Sequence, residues 1–171
     1  MPFTGLLISR LECLDAVSED IRKVLGMPAM ETPVTEWTYS TFYQPEMGKP
    51  LHRKYVFFQR LIDPSRLREL KIWSNDQEER YGRKEGEKLM RRVNIDPGYL
   101  DRSKIVLAST KNPGHRIYLG DGIHAEISLL YRRGTYRPLD YTYPDIRSRE
   151  SLAMFNDARS LYLELLKDAG P

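Results

Sequence analysis

The chain has 171 residues with a formal net charge of +3, and its 40% hydrophobic and 30% charged residues are the composition of an ordinary globular protein. No apolar run approaches the ~20 residues that a membrane helix needs, and the N-terminus lacks the basic region of a signal peptide. The single cysteine, Cys13, excludes an internal disulfide and a metal site built on cysteines. We therefore expect one cytoplasmic domain, residues 1–171, that does not enter a membrane.

The first half of the chain predicts the element order of a βαββαβ unit. Strands are predicted at residues 3–9, 34–43, 53–61 and 91–95. These segments are rich in β-branched and aromatic residues or form apolar runs expected to be buried. Helices are predicted at residues 14–25, where Gly26 is the stop signal, and from Asp63-Pro64 towards Tyr81. This order is that of a ferredoxin-like unit.

The second half predicts short strands separated by glycine turns, followed by a helix. The strands are expected at residues 105–109, 115–119, 123–132 and 136–139, and the helix at residues 149–167. The sequence therefore predicts an α+β fold with a mainly antiparallel sheet, a ferredoxin-like βαββαβ start, a C-terminal β-meander and a final helix.

The glycine-bracketed turn at residues 120–122 decides which side chains of its hairpin share a face. A two-residue loop would place Arg116 among the apolar side chains of the following strand. A three-residue loop, with Gly122 in the left-handed conformation, pairs Leu119 with Ile123 and separates apolar from polar side chains. We therefore expect the three-residue loop.

In that register, one polar sheet face gathers several reactive side chains. Arg116 lies opposite Glu126, and Tyr118 lies opposite His124. A salt bridge and groups able to carry protons would then share a face, which suits binding combined with acid–base chemistry. The outer polar face of any antiparallel sheet offers the same pattern, so a purely structural role is the alternative.

Two turns carry further candidate residues. In Asn94-Ile95-Asp96-Pro97-Gly98, Asp96 could act as a base or metal ligand, or close an Asx turn, while Gly98 permits a positive φ. Residues 111–116 form a turn with basic side chains that could cradle a phosphate or simply connect two strands. No ligand spacing is diagnostic of a metal, so the metal and the cofactor are left open.

Charge and aromatic content indicate two classes of anionic partner. Residues 91–137 carry nine basic and four acidic side chains, which favours an anionic ligand or, alternatively, a solvated basic surface. Aromatic side chains beside basic ones could stack RNA bases, but on strands such side chains also fill cores. The aromatic candidates are Trp37, Tyr39, Phe42, Tyr43, Tyr55, Phe57 and Phe58.

Three segments are the most specific in the chain: RRVNIDPGYL (91–100), KNPGHRIYLGDGIHAEI (111–127) and YTYPD (141–145). Over nearly its whole length the chain resembles a family of small bacterial and archaeal proteins classed as a domain of unknown function. The resemblance implies no activity and assigns no catalytic residue. Members are sometimes labelled GTP-binding proteins, but the chain has neither a G-x-x-x-x-G-K-[ST] loop nor an N-K-x-D motif. We therefore exclude a P-loop GTPase.

The leading hypothesis is a protein that binds a phosphate-bearing, nucleotide-like small ligand on the polar sheet face. The expected ligand contacts are Arg92, Asn94, Lys111, Arg116 and Tyr118. The expected acid–base groups are His124, Glu126, Asp96 and His115. RNA binding without catalysis is the alternative, and a structural or assembly partner is a third hypothesis. Sequence leaves open whether the protein is an enzyme, and its oligomeric state.

Overall fold

The computed structural model describes residues 1–168, which form eleven strands and four α-helices. The strands are Pro2–Ile8 (β1), Pro28–Glu31 (β2), Thr35–Glu36 (β3), His52–Phe58 (β4), Arg83–Glu85 (β5), Lys88–Met90 (β6), Val93–Leu100 (β7), Lys104–Ser109 (β8), Ile117–Gly120 (β9), Ile123–Arg132 (β10) and Thr135–Pro138 (β11). The helices are Leu14–Leu25 (α1), Gln44–Met47 (α2), Leu67–Tyr81 (α3) and Arg149–Asp168 (α4).

Nine of these strands form one antiparallel sheet in the order β11-β10-β8-β7-β1-β4-β2, with β3 beside β4 and β9 beside β10. β4 lies between β1 and β2, so the connection through α1 joins two strands that are not neighbours. This is the split arrangement expected of a βαββαβ order. The predicted α+β class, the mainly antiparallel sheet and the final helix are confirmed.

The sheet is covered on both faces. α1 and α3 pack on one face, where Leu6 and Ile8 of β1 meet Ile21 and Leu70. α4 packs on the other face through Phe155, in a core that also holds Phe3 and Phe57. Alternate residues of β1 therefore serve two cores, which explains why all seven are buried. Within residues 1–168, every helix is too short or too polar to cross a membrane.

The segment 34–43 differs from its prediction. Only Thr35 and Glu36 pair with β4, and the rest of the predicted strand is irregular. The rings of Trp37 and Tyr43 pack instead against a small apolar cluster around Leu7. Packing of these large side chains outweighs the strand preference of the sequence, because β propensity mainly reports how well a residue packs.

The turn predicted around Asp96 is also wrong, because β7 continues through it as far as Leu100. Pro97 is tolerated because pairing with β8 begins only at the next residue. Gly98 does not adopt a positive φ. A Cβ atom at Gly98 would lie 2.5 Å from Cζ of Phe3, so the glycine is required for close packing.

The turn after β9 combines features of both loops considered for it. Gly120 pairs with Ile123, so the loop has two residues, and the predicted pairing of Leu119 with Ile123 is wrong. A β-bulge follows and restores the expected register, in which Tyr118 lies opposite His124. Gly122 has the expected positive φ of 73°.

The polar face of β10 is buried and is not the exposed outer face that the purely structural interpretation describes. His124, Glu126 and Ser128 are all buried, whereas Ile117 on the short edge strand β9 is 69% exposed. Residues 139–147 cross this face, and Thr142 Oγ1 donates a hydrogen bond of 2.6 Å to the carbonyl oxygen of Ser128. The polar side chains of β10 are therefore enclosed between the sheet and this segment.

Candidate functional site

A cleft opens where two neighbouring strands of the sheet diverge. β7 and β8 pair only between Gly98–Leu100 and Ile105–Leu107, and beyond these residues the strands separate. The cleft has a volume of about 390 Å³ and is lined by both strands, by α3 and by residues 143–146. This volume is within the range of small-molecule sites.

Two charged side chains of α3 replace the missing strand partner of β7. Lys71 Nζ donates a 2.8 Å hydrogen bond to the carbonyl oxygen of Ile95. The backbone N–H of Ile95 donates a 2.8 Å hydrogen bond to Glu78 Oε1. Lys71 and Glu78 also form an ion pair of 3.3 Å, with both side chains 5% exposed. The backbone of β7 that β8 leaves unpaired is therefore satisfied by a buried ion pair.

Arg91 stands at one end of the cleft, in place of the predicted Arg92. Its guanidinium donates to Glu78 at 2.6 Å, to Asn94 at 2.7 Å and to Glu46 at 2.8 Å. Burial alone would lower the pKa of Arg91, but these carboxylates raise it above its usual value. Arg92 does not line the cleft.

A second buried ion pair joins β4 to the segment before α4. Arg53 Nη2 and the hydroxyl of Tyr55 each donate a 2.9 Å hydrogen bond to Asp145 Oδ2. Burial raises the pKa of the Tyr55 phenol, so it donates as a neutral hydroxyl. Helix α4 is capped by Ser148, whose Oγ accepts from the N–H of Ser151.

Arg116 and Glu126 are in contact, as predicted from their positions on opposite strands of the hairpin. Arg116 Nε donates to Glu126 Oε2 at 2.7 Å, and Ser128 Oγ donates to the other carboxylate oxygen at 3.0 Å. His115 Nε2 lies 3.3 Å from Glu126 Oε2. The side chain of Glu126 is only 1% exposed, so its charge depends on Arg116 for compensation.

The predicted proton carriers do not all reach the cleft. His115 stacks on Tyr141 with ring centroids 4.0 Å apart and lines an adjoining hollow that shares Lys111 and Arg116 with the cleft. His124 and Tyr118 lie outside it, with their ring centroids 5.1 Å apart. Among the predicted residues, the cleft brings together Asn94, Asp96, Lys111, Arg116 and Glu126.

Lys111 is the cation of the cleft with no carboxylate within 4 Å among residues 1–168. Its Nζ lies 3.9 Å from the ring centroid of Phe42, in cation–π contact. Partial burial lowers the pKa of Lys111, and the charges of Arg116 and Arg91 lower it further, while Asp96 opposes them. Lys111 is therefore an available positive charge beside an aromatic surface.

Aromatic side chains that the sequence singled out divide into two groups. Tyr55, Phe57 and Phe58 are buried core residues. The others stand at the cleft, where Phe42 is 61% exposed and Tyr39 is also exposed. Tyr143, from the YTYPD segment, adds a further exposed ring.

Several cleft residues were missed by the sequence analysis, namely Arg53, Lys71, Glu78, Arg91 and Asp145. A signal existed for two of them. Lys71 and Glu78 occupy the face of α3 that also carries Leu67 and Leu70, so the helical period places charges at core positions. Such charges are rarely buried without a partner.

The arrangement offers hydrogen-bond acceptors, one available cation and exposed aromatic rings, which are groups able to contact a polar planar molecule. Within the described residues, no group of three or more His, Cys, Asp or Glu side chains is placed to hold a metal ion.

Comparisons with known proteins identify the family but add no activity. Neither the curated proteins nor the solved structures contain a match to this chain. One family model, described as a domain of unknown function (DUF4416), matches residues 2–162. The match covers almost all of the chain, and the chain therefore belongs to the DUF4416 family.

Proposed function

We propose that the cleft binds a small ligand in which a phosphate group is joined to a planar ring, as in a nucleotide. The observation that carries the proposal is Lys111, which has no carboxylate partner within the described residues and lies beside the exposed ring of Phe42. The ligand's two parts, an anion and a ring, match these two features.

The phosphate would be held by Lys111. The other cations of the cleft are engaged with carboxylates, so a phosphate there would have to compete with a buried ion pair. Arg116 Nη1 already donates to Ser109 Oγ at 2.5 Å and to the Lys111 carbonyl at 3.0 Å, which fixes the loop that carries Lys111.

The planar ring would stack on the exposed aromatic side chains. Stacking of a base on an aromatic ring contributes about 1–3 kcal/mol and tolerates different bases. Tyr39, Phe42 and Tyr143 line the cleft with exposed rings, so more than one orientation of the ligand's ring finds a stacking partner.

Acid–base chemistry would draw on Asp96 or His115. Glu126 already accepts hydrogen bonds from Arg116 and Ser128, whereas Asp96 retains an oxygen with no donor among the described residues. His115 lines the adjoining hollow, which shares Lys111 with the cleft.

The test uses Trp37, which lines the cleft, as a fluorescent reporter in a Trp73→Phe background. We expect at least one of a panel of ribonucleoside mono-, di- and triphosphates to change Trp37 emission. Lys111→Ala should weaken this binding about tenfold or more, since it removes a charged contact. Lys84→Ala, an exposed lysine of β5, is the matched control. Equal affinity of Lys111→Ala and wild type would contradict the proposal.

Single-stranded RNA is a second candidate, favoured by the exposure of Tyr39 and Phe42 beside Lys111. The burial of Tyr55, Phe57 and Phe58 counts against a stacking surface on the strands themselves. If RNA is the partner, a short oligoribonucleotide should bind more tightly than any mononucleotide, and its affinity should fall steeply as salt rises.

A further inference from the structure

We infer that the cleft selects a ribonucleoside monophosphate over the corresponding triphosphate, and that Asp96 accepts hydrogen bonds from the ribose hydroxyl groups. This inference rests on the proposed function and deepens it, since it specifies the number of phosphates and the sugar. Three observations support it: the charge balance of the cleft, the free oxygen of Asp96 and the size of the cavity.

The charges that line the cleft nearly cancel. Five cations line it: Arg53, Lys71, Arg91, Lys111 and Arg116. Four carboxylates line it with them: Glu78, Asp96, Glu126 and Asp145. The net charge of the lining is therefore one positive, and Glu46, bonded to Arg91 from outside the lining, removes even this excess.

Each cation other than Lys111 has a carboxylate close by. The N···O distances are 2.9 Å for Arg53 to Asp145, 2.6 Å for Arg91 to Glu78, 3.3 Å for Lys71 to Glu78 and 2.7 Å for Arg116 to Glu126. A ligand phosphate thus meets one available cation. A single phosphate group carries roughly −1.5 to −2 charge at pH 7. A site with one available cation therefore matches the charge of one phosphate group far better than the charge of three.

A triphosphate would place its additional charges near the carboxylates of the cleft. Proteins that hold triphosphates surround them with a loop of backbone amides, a lysine and a metal ion. The segment that carries Lys111 is a short turn in which the N–H of Lys111 itself is bonded to Ser109 Oγ. Electrostatic repulsion should therefore penalise each added phosphate.

Asp96 supplies an acceptor for hydroxyl groups. Its Oδ2 accepts a 2.7 Å hydrogen bond from Asn94, whereas its Oδ1 accepts none among the described residues and lies 3.7 Å from Lys71 Nζ. The side chain is 27% exposed and lines the cleft. A carboxylate with a free oxygen is the usual partner of ribose hydroxyls in nucleotide sites.

The cavity volume agrees with a ligand of this size. At about 390 Å³ the cleft is near the lower end of the range for small-molecule sites, which suits a mononucleotide better than a larger dinucleotide.

The experiment titrates the full chain with AMP, ATP, 2′-deoxy-AMP, adenosine and ribose 5-phosphate in EDTA at constant ionic strength. Trp37 emission is followed in the Trp73→Phe background, and isothermal heat is measured on the wild-type protein. The same series is repeated with the guanine, cytosine and uracil compounds, because the base is not specified. We expect monophosphates to bind about tenfold or more tightly than triphosphates, and ribose compounds about tenfold more tightly than deoxyribose ones.

Asp96→Asn tests the sugar contact and keeps an oxygen that can accept from Asn94. It should reduce the preference for ribose over deoxyribose, while Glu79→Gln, on the exposed face of α3, should leave that preference unchanged. The comparison of ribose and deoxyribose compounds on the wild-type protein keeps the test valid if Asp96→Asn folds poorly.

The outcomes separate this inference from the proposed function. Triphosphates that bind as tightly as monophosphates would overturn the charge argument and leave the proposed function standing. Equal affinity for ribose and deoxyribose compounds would overturn the role of Asp96. Ribose 5-phosphate that binds as tightly as every nucleotide would overturn the nucleoside assignment. Failure of all these phosphates to bind would overturn both proposals.

Discussion

Lys111 combines an available charge with a lowered pKa, and this combination determines how binding depends on pH. Only the protonated lysine attracts an anion. Because partial burial and two neighbouring arginines lower its pKa below the ordinary value of 10.5, phosphate affinity should begin to fall at a lower pH than for a free lysine.

The prediction is that affinity for a nucleoside monophosphate declines as the pH is raised towards 10.5, and that Lys111→Arg removes the decline, since arginine stays charged. Titrations between pH 7 and pH 10 measure it. An affinity that declines equally in Lys111→Arg would assign the pH effect to another group.

Gly98 shows how a single hydrogen atom can be required by packing. Gly98→Ala would place a methyl group 2.5 Å from Phe3 Cζ and 2.6 Å from the carbonyl oxygen of Val106. We expect a loss of about 1–3 kcal/mol or more in the free energy of unfolding. Urea denaturation checks this, with Gly114→Ala, where nothing lies within 4 Å, as control.

For individual side chains, the sequence predicted contacts between residues that are close together along the chain. Arg116 and Glu126 were found because they belong to one hairpin, whose register follows from the alternation of side chains. The sequence named Arg92, whereas Arg91 lines the cleft, because nothing local distinguishes two adjacent arginines. Arg91 is held at the cleft by hydrogen bonds to Glu78 of α3 and Glu46 of α2, and these long-range contacts are not visible in local patterns.

Among the elements, α3 is unusual because two of its charged side chains form hydrogen bonds with the backbone of β7. Glu78→Ala would remove the acceptor for the Ile95 N–H and leave Lys71 and Arg91 with one carboxylate fewer. We expect a loss of about 3–5 kcal/mol in unfolding free energy, as for other broken buried ion pairs.

Glu78→Gln, which keeps an oxygen for Ile95, should lose less than Glu78→Ala, and the exposed Glu79→Ala should change little. Chemical denaturation of the three variants measures these differences. If Glu78→Ala were as stable as Glu79→Ala, the pairing of α3 with β7 would not contribute to stability.

Elements defined by local periodicity were predicted best. α1 follows from apolar residues at helical spacing, and its end follows from Gly26, whose φ is 87°. The segment 34–43 was predicted as a strand because its residues prefer strands, yet its rings are needed at the cleft. Local preference carries no information about that competing tertiary contact.

For the molecule as a whole, α4 connects the end of the chain to its beginning. Phe155 of α4 contacts Phe3 of β1 and both Tyr55 and Phe57 of β4, with ring centroids 5.5–5.8 Å apart. The N-terminal strands therefore need the C-terminal helix to cover one of their faces, and we predict that the chain unfolds as one unit.

Phe155→Ala should lower the unfolding free energy by about 3–5 kcal/mol while unfolding remains a single transition. Coincident urea curves from tryptophan fluorescence and far-ultraviolet circular dichroism would show this, with the exposed Ser160→Ala as control. Separate transitions for the two probes would instead indicate two folding units.

The cleft as a whole could not be assembled from the sequence. Its walls come from α3, β4, β7, β8 and the segment before α4, which are far apart along the chain. Strand order depends on these long-range pairings, and local patterns do not specify them. The sequence therefore identified individual side chains of the site without the partners that neutralise most of its charges.

The ion pair of Lys71 and Glu78 has a further consequence for what can enter the cleft. A strand edge left open by a neighbour normally recruits another extended peptide, either from a partner or in aggregation. Here the N–H and C=O of Ile95 are already bonded by side chains. An incoming peptide would find no free backbone partners at that position, so the opening between the strands favours small molecules and resists strand addition.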